Sequence, residues 1–65
     1  MDKNALKQIR KKTGLTQHGF GEVIGVPGRT IERWEQGRNP VTELAKREIY
    51  RQFKAAVDEV WGEKQ

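Results

Sequence analysis

Gly25-Val26-Pro27-Gly28-Arg29-Thr30-Ile31-Glu32-Arg33-Trp34-Glu35-Gln36-Gly37 contains a stop, a start and two chemically distinct faces in one short run. Gly25 suits the end of a preceding helix. Pro27 or Gly28 opens the next, because proline's fixed φ fits a first helical turn, and Gly37 supplies the left-handed residue that closes it. Spaced at the helical period, Ile31 and Trp34 point one way. Arg29, Glu32, Arg33 and Gln36 fall at i, i+3, i+4 and i+7 and make a polar stripe on the other side. The pattern predicts a short helix over about residues 28–36 that anchors through an indole and turns guanidinium groups outward.

Outward from this stretch the same periodicity continues. Thr16 is a good N-cap for a helix over about residues 16–24, with Phe20, Val23 and Ile24 on one face. Before it, a helix from about Asn4, as N-cap, to Thr13 turns Leu6 and Ile9 inward and Lys3, Lys7, Lys11 and Lys12 outward, and Gly14 stops it. After Arg38-Asn39-Pro40, one last helix over about residues 41–61 carries Val41, Leu44, Ala45, Ile49, Phe53, Ala56, Val57, Val60 and Trp61. At about 1.5 Å per residue it is about 30 Å long, comparable with the whole globule. It therefore either breaks near Lys54 or projects an end that needs a partner. No segment alternates like a strand, so the expected architecture is all-α, with four or five short helices in one domain over residues 1–65.

Composition narrows the function. The net charge is +4 with a pI near 9.8. Residues 1–54 hold 12 of the 13 Lys and Arg and six of the nine acids, a balance of +6, whereas residues 55–65 come to −2. The basic character thus belongs to the body of the domain, as a nucleic-acid footprint requires, although a solvated basic surface has the same balance. With no cysteine there is no disulfide, thiolate metal site or sulfur nucleophile, in keeping with a reducing cytoplasm. No serine is present and the single histidine, His18, has no ligand partner at metal spacing, so neither catalysis nor a cofactor is expected. His18 reads as a surface residue. No apolar run approaches a membrane span or a signal peptide's core.

A helix pair joined by a turn of three or four residues, the second helix presenting an arginine-bearing stripe, fits a major groove about 12 Å wide. Leu15-Thr16-Gln17, Gly25-Val26, Thr30-Ile31 and Arg33-Trp34-Glu35-Gln36-Gly37 stand in the order and spacing of the Xre-like helix-turn-helix family, the DNA-binding domains of phage repressors and many bacterial antitoxins. The chain resembles that family over about residues 4–53 without an insertion, and Gly28 to Arg38 resembles the antitoxin subgroup that represses its own operon. The resemblance implies base reading by Gly28, Arg29, Glu32 and Arg33, and phosphate contacts from Gln17, Thr30, Arg38 and Asn39. It also implies an Arg10–Glu35 pair between the first and third helices. Arginine's planar fork matches guanine O6 and N7. Glu32 either accepts from cytosine N4 or orients Arg29 or Gln36 across one turn. The partners implied are double-stranded DNA, a second copy in a dimeric repressor or autoregulator, and a cognate toxin, all at the nucleoid rather than a membrane.

Departures from the family pattern sit in the turn region. Gly19 stands where a Glu commonly completes the capping box, and Gly21 replaces the usual Ala between helices two and three, each costing about 1 kcal/mol relative to Ala in a helix interior. Pro27 and Gly28 replace the usual polar N-cap and its neighbour. The rival reading is a protein-interaction module whose last helix, with Tyr50, Phe53, Val57, Val60 and Trp61, docks on a toxin or polymerase subunit, whereas a core helix accounts for Leu44, Ile49 and Phe53. Val57, Val60 and Trp61 are the expected dimer or partner contacts under either reading.

Overall fold

The computed structural model describes residues 3–61, which form five α-helices and, among the described residues, no strand. They are α1 (Lys3–Thr13), α2 (Gln17–Ile24), α3 (Gly28–Glu35), α4 (Glu43–Gln52) and α5 (Lys54–Trp61). The described chain measures 29 × 20 × 20 Å. One core of Leu6, Ile9, Phe20, Ile24, Ile31, Trp34, Val41, Ala45, Ile49 and Val57 is shared by all five helices and the segment before α4.

α1 begins at Lys3, so Asn4 lies inside the first turn and is not the cap expected of it. Its end is built as the sequence suggests. Thr13 Oγ1 donates to the Arg10 carbonyl at 2.5 Å and accepts from Leu15 N at 3.2 Å, and Gly14 takes φ 76°. α2 starts on Thr16, whose hydroxyl accepts from Gly19 N at 3.0 Å. The inward stripe of α2 is Phe20, Gly21 and Ile24, and Val23 is 41% exposed, contrary to the expected face. The stripe is rotated because α3 crosses α2 at Gly21, which leaves Val23 about 160° round the helix from that contact.

After Pro40 the structure takes one of the two outcomes expected, the break near Lys54 rather than a projecting end. Residues 41–61 are not one helix: Val41 is buried ahead of it, Thr42 caps α4 by accepting from Ala45 N at 3.2 Å, and the helix breaks at Phe53. Phe53 has φ −127° and ψ 42°, yet its N–H still closes α4 on the Ile49 carbonyl and its own carbonyl opens α5 by accepting from Val57 N, both at 2.9 Å. The break is fixed by packing. The Phe53 ring stacks on Phe20 with centroids 4.8 Å apart and planes 14° from parallel, an arrangement worth about 0.5–1.5 kcal/mol beyond its area. The turn folds α5 back onto α1, where Lys12 Nζ meets Glu59 Oε2 at 3.1 Å.

Two expectations for this region are corrected. Leu44 is 76% exposed, because Val41, Ala45 and Ile49 define the inward line at i, i+4 and i+8 and Leu44 falls about 100° round from it. Val57 is 1% exposed within its own chain, so it has no surface to offer as a dimer or partner contact. Val60 is half-buried against the same core, and the side chain of Trp61 lies outside the described residues. No helix among the described residues is long and apolar enough to cross a membrane.

Candidate nucleic-acid interface

α2 and α3 are joined by Gly25, Val26 and Pro27. The turn is tight because one carbonyl does the work of two: Gly21 O accepts from both Gly25 N and Val26 N at 2.8 Å, and Gly25 adopts φ 86°. Pro27 then stands as the N-cap of α3 without a side-chain capping bond, and its carbonyl accepts from Thr30 N at 3.0 Å. At the other end Arg38 N donates to Arg33 O at 3.0 Å and Gly37 N to Trp34 O at 3.1 Å, with Gly37 at φ 78°. That pairing is a Schellman closure, which satisfies the last carbonyls and turns the chain sharply toward α4.

Glycine also sets the distance between the two helices. A Cβ on Gly21 would collide with the Val26 carbonyl oxygen, and one on Gly28 would lie 3.0 Å from His18 Cα and 3.2 Å from His18 N. Each helix therefore meets the other's backbone at a position with no side chain. In the sequence, Gly21 reads as a weak helix former at the position where the family pattern places Ala between the two helices. In the fold it permits an approach closer than Ala allows.

α3 has the two faces its spacing predicts. Ile31 and Trp34 are buried, and Arg29, Glu32, Arg33 and Gln36 are exposed. A cleft of about 490 Å³ between the starts of α2 and α3 is lined by Gln17, His18, Pro27, Gly28, Arg29 and Glu32. Gly28 is half-buried against α2, so it presents backbone alone at this cleft. Thr30 is half-buried, and Arg38 and Asn39 are exposed in the segment after α3. His18 is exposed, as its outward position on α2 predicts. It lines the cleft, and its Nε2 lies 3.1 Å from Glu22 Oε1.

Behind the exposed stripe, Glu35 ties three helices together. Arg10 Nε donates to Glu35 Oε2 at 2.6 Å and Arg10 Nη2 to Oε1 at 3.2 Å, a two-pronged pair whose side chains are 15% and 5% exposed. The third donor of Arg10, Nη1, reaches the Leu15 carbonyl at 3.1 Å. Gln17 Nε2 donates to Glu35 Oε1 at 3.1 Å. One Gln17 amide hydrogen is thus engaged inside the fold, leaving the second for an outside acceptor. Sequence spacing pointed to the Arg10–Glu35 pair through the family resemblance, but nothing in it pointed to Gln17 as the third member.

Two short helices at a three-residue turn, the second anchored by Ile31 and Trp34 and exposing a charged stripe, define a helix-turn-helix domain of the DNA-binding class. A family model described as a helix-turn-helix domain matches residues 4–59, and the chain belongs to that family. Comparison with curated proteins and with solved structures returned no match.

Proposed function

We propose that this protein is a sequence-selective transcriptional regulator of the Xre-like, phage-repressor type, which inserts α3 into the major groove of double-stranded DNA and acts as a dimeric repressor or autoregulator on a palindromic operator. The observation that carries the reading is the division of α3: Arg29, Glu32, Arg33 and Gln36 face solvent while Ile31 and Trp34 are locked in the core. Arg29 and Arg33 take guanine O6 and N7, each bidentate pair discriminating by about 1–3 kcal/mol, and Glu32 accepts from cytosine N4. Gly28 contributes only its backbone. Gln17, with its second amide hydrogen, Thr30, Arg38 and Asn39 hold phosphates and set register without carrying sequence information. Val60 and Trp61 remain the dimer contacts, Val57 having been taken by the core. The same burial favours the DNA reading over an interaction module built on the last helix, whose apolar face is largely spent on α1.

Selection of bound sequences from a random duplex pool tests this directly. The expected result is an enriched inverted repeat with half-sites one helical turn, about 34 Å, apart. A pool that drifts without enrichment rejects sequence reading. Enrichment of a single unrepeated half-site, with a monomer by sedimentation on that site, retains DNA reading but rejects the dimer.

A further inference from the structure

The outer face of α4 is not used by the core or by the reading stripe. Glu43, Lys46, Arg47, Tyr50, Arg51 and Lys54 line a groove of about 560 Å³ there. Glu43, Lys46, Arg47, Tyr50 and Arg51 run i, i+3, i+4, i+7 and i+8 on the side of α4 opposite buried Ala45 and Ile49, and Lys54 joins them from the start of α5, across the break at Phe53. The exposed surface of the groove is mostly carbon, which among these residues means the Tyr50 ring and the methylene stems of the lysines and arginines. Exposed Leu44 sits one turn before Arg47 and Glu48 and extends the apolar surface at its edge.

Charge surrounds this carbon surface asymmetrically. Lys46 Nζ is 3.3 Å from Glu43 Oε1 and Arg51 Nη2 is 2.8 Å from Glu48 Oε1, so two of the four cations are compensated locally. Arg47, on α4, and Lys54, at the start of α5, form no ion pair among the described residues and line the same groove. Each is exposed. An occupant that matches the face needs carboxylates for both cations and apolar side chains beside them.

We propose that the α4 groove is a docking site for an acidic amphipathic segment of a partner protein. Its acids pair with Arg47 and Lys54, and its apolar residues lie on Tyr50 and Leu44. A second copy of the same face brings like charges together and is disfavoured. Duplex DNA satisfies the cations through phosphates but leaves Leu44 and Tyr50 against a highly polar surface, so an acidic peptide is the better match. The site is on a different helix from the reading stripe, and the proposal stands independently of what α3 binds.

The probe is a fluorescein-labelled helical peptide that carries several glutamates beside a leucine and a phenylalanine, titrated into the full chain by anisotropy and by amide NMR. Saturable binding with shifts concentrated in residues 43–54 is expected. Arg47→Glu with Lys54→Glu, and separately Tyr50→Ala, should each weaken it by about tenfold, the scale of an interface anchor. Circular dichroism checks the fold of each variant, and Leu44→Ala gives a second apolar test at a site too exposed to affect folding. Tyr50→Ala should leave duplex affinity unchanged. The proposal is overturned by a peptide that gives no shifts at millimolar concentration or by polyglutamate that binds as tightly. It is equally overturned by a Tyr50→Ala loss of duplex affinity matching the loss of peptide affinity.

Discussion

Gly21→Ala sets helix propensity against packing, and the structure says which wins. In an isolated helix the change gains about 1 kcal/mol. Here the new methyl points at the Val26 carbonyl oxygen, closer than real Cβ contacts allow, and the obstacle is backbone held by a 2.8 Å bond from Val26 N to Gly21 O. Overpacking of this kind costs about 1–3 kcal/mol. The net is a loss of about 1 kcal/mol, which in a domain this small lowers Tm by about 4–8 °C. Gly19→Ala is the matched control. Its Cβ meets Thr16 Oγ1 at 3.3 Å and Leu15 Cδ2 at 3.6 Å, side-chain atoms rather than backbone, but the hydroxyl also caps α2 through Gly19 N and can give only slightly, so part of the propensity gain survives. Thermal and urea unfolding should show Gly21→Ala less stable than Gly19→Ala by about 1–2 kcal/mol. If Gly21→Ala raises Tm as much as Gly19→Ala does, the close helix approach described above is wrong.

Glu35→Ala strands Arg10, a cation only 15% exposed, and is expected to cost about 3–5 kcal/mol, enough to leave a domain of this size largely unfolded by circular dichroism. A loss under about 1 kcal/mol would place the pair effectively in solvent. Arg33→Ala should relax base preference at one position per half-site by about 1–3 kcal/mol in binding competitions. Arg38→Ala should weaken all duplexes alike and reduce the salt slope by about one, and a sequence-dependent loss there would contradict a phosphate role. Leu44→Ala should change unfolding free energy by less than about 0.5 kcal/mol, since the side chain is on the surface, and a core-sized loss in urea denaturation would contradict its placement. The Arg51 hydrogen bonds hold the Glu48 carboxyl below its ordinary value, so this exposed pair is intact above the usual carboxylate range and released as pH falls through the lowered value. An NMR titration of Glu48 should return toward the ordinary midpoint in Arg51→Ala.

The parts of the fold governed by local chemistry were legible in the chain. Gly14, Gly25 and Gly37 mark real left-handed stops, Thr16 is a real cap, and the faces of α3 follow from spacing alone. What spacing did not convey was tertiary. Helix length pointed to a break near Lys54, but no glycine or proline marks it and its cause is tertiary: the Phe53 ring finds Phe20, and α5 gains a core position for Val57 by folding back. Leu44 and Val23 belong to helices whose buried lines are set by neighbours, and hydrophobicity alone put both on the wrong side. Gly21 and Gly28 registered as departures from a pattern, whereas their role is visible only when two backbones are seen in contact. The polar stripe of α3 was readable throughout; the threefold use of the Glu35 carboxylate by two other helices was not.

The two ends of α3 are held very differently. Its far end is cross-braced by Glu35 and sealed by the Gly37 closure, whereas its near end enters from Pro27 with no side-chain lock. Backbone contact holds that near end instead: Gly28 lies against His18, and Gly21 O clamps the turn before it. With side chains bracing one end and main chain the other, the charged stripe between them is presented in one fixed orientation, and under the DNA reading proposed above the adjustment of fit falls to the duplex.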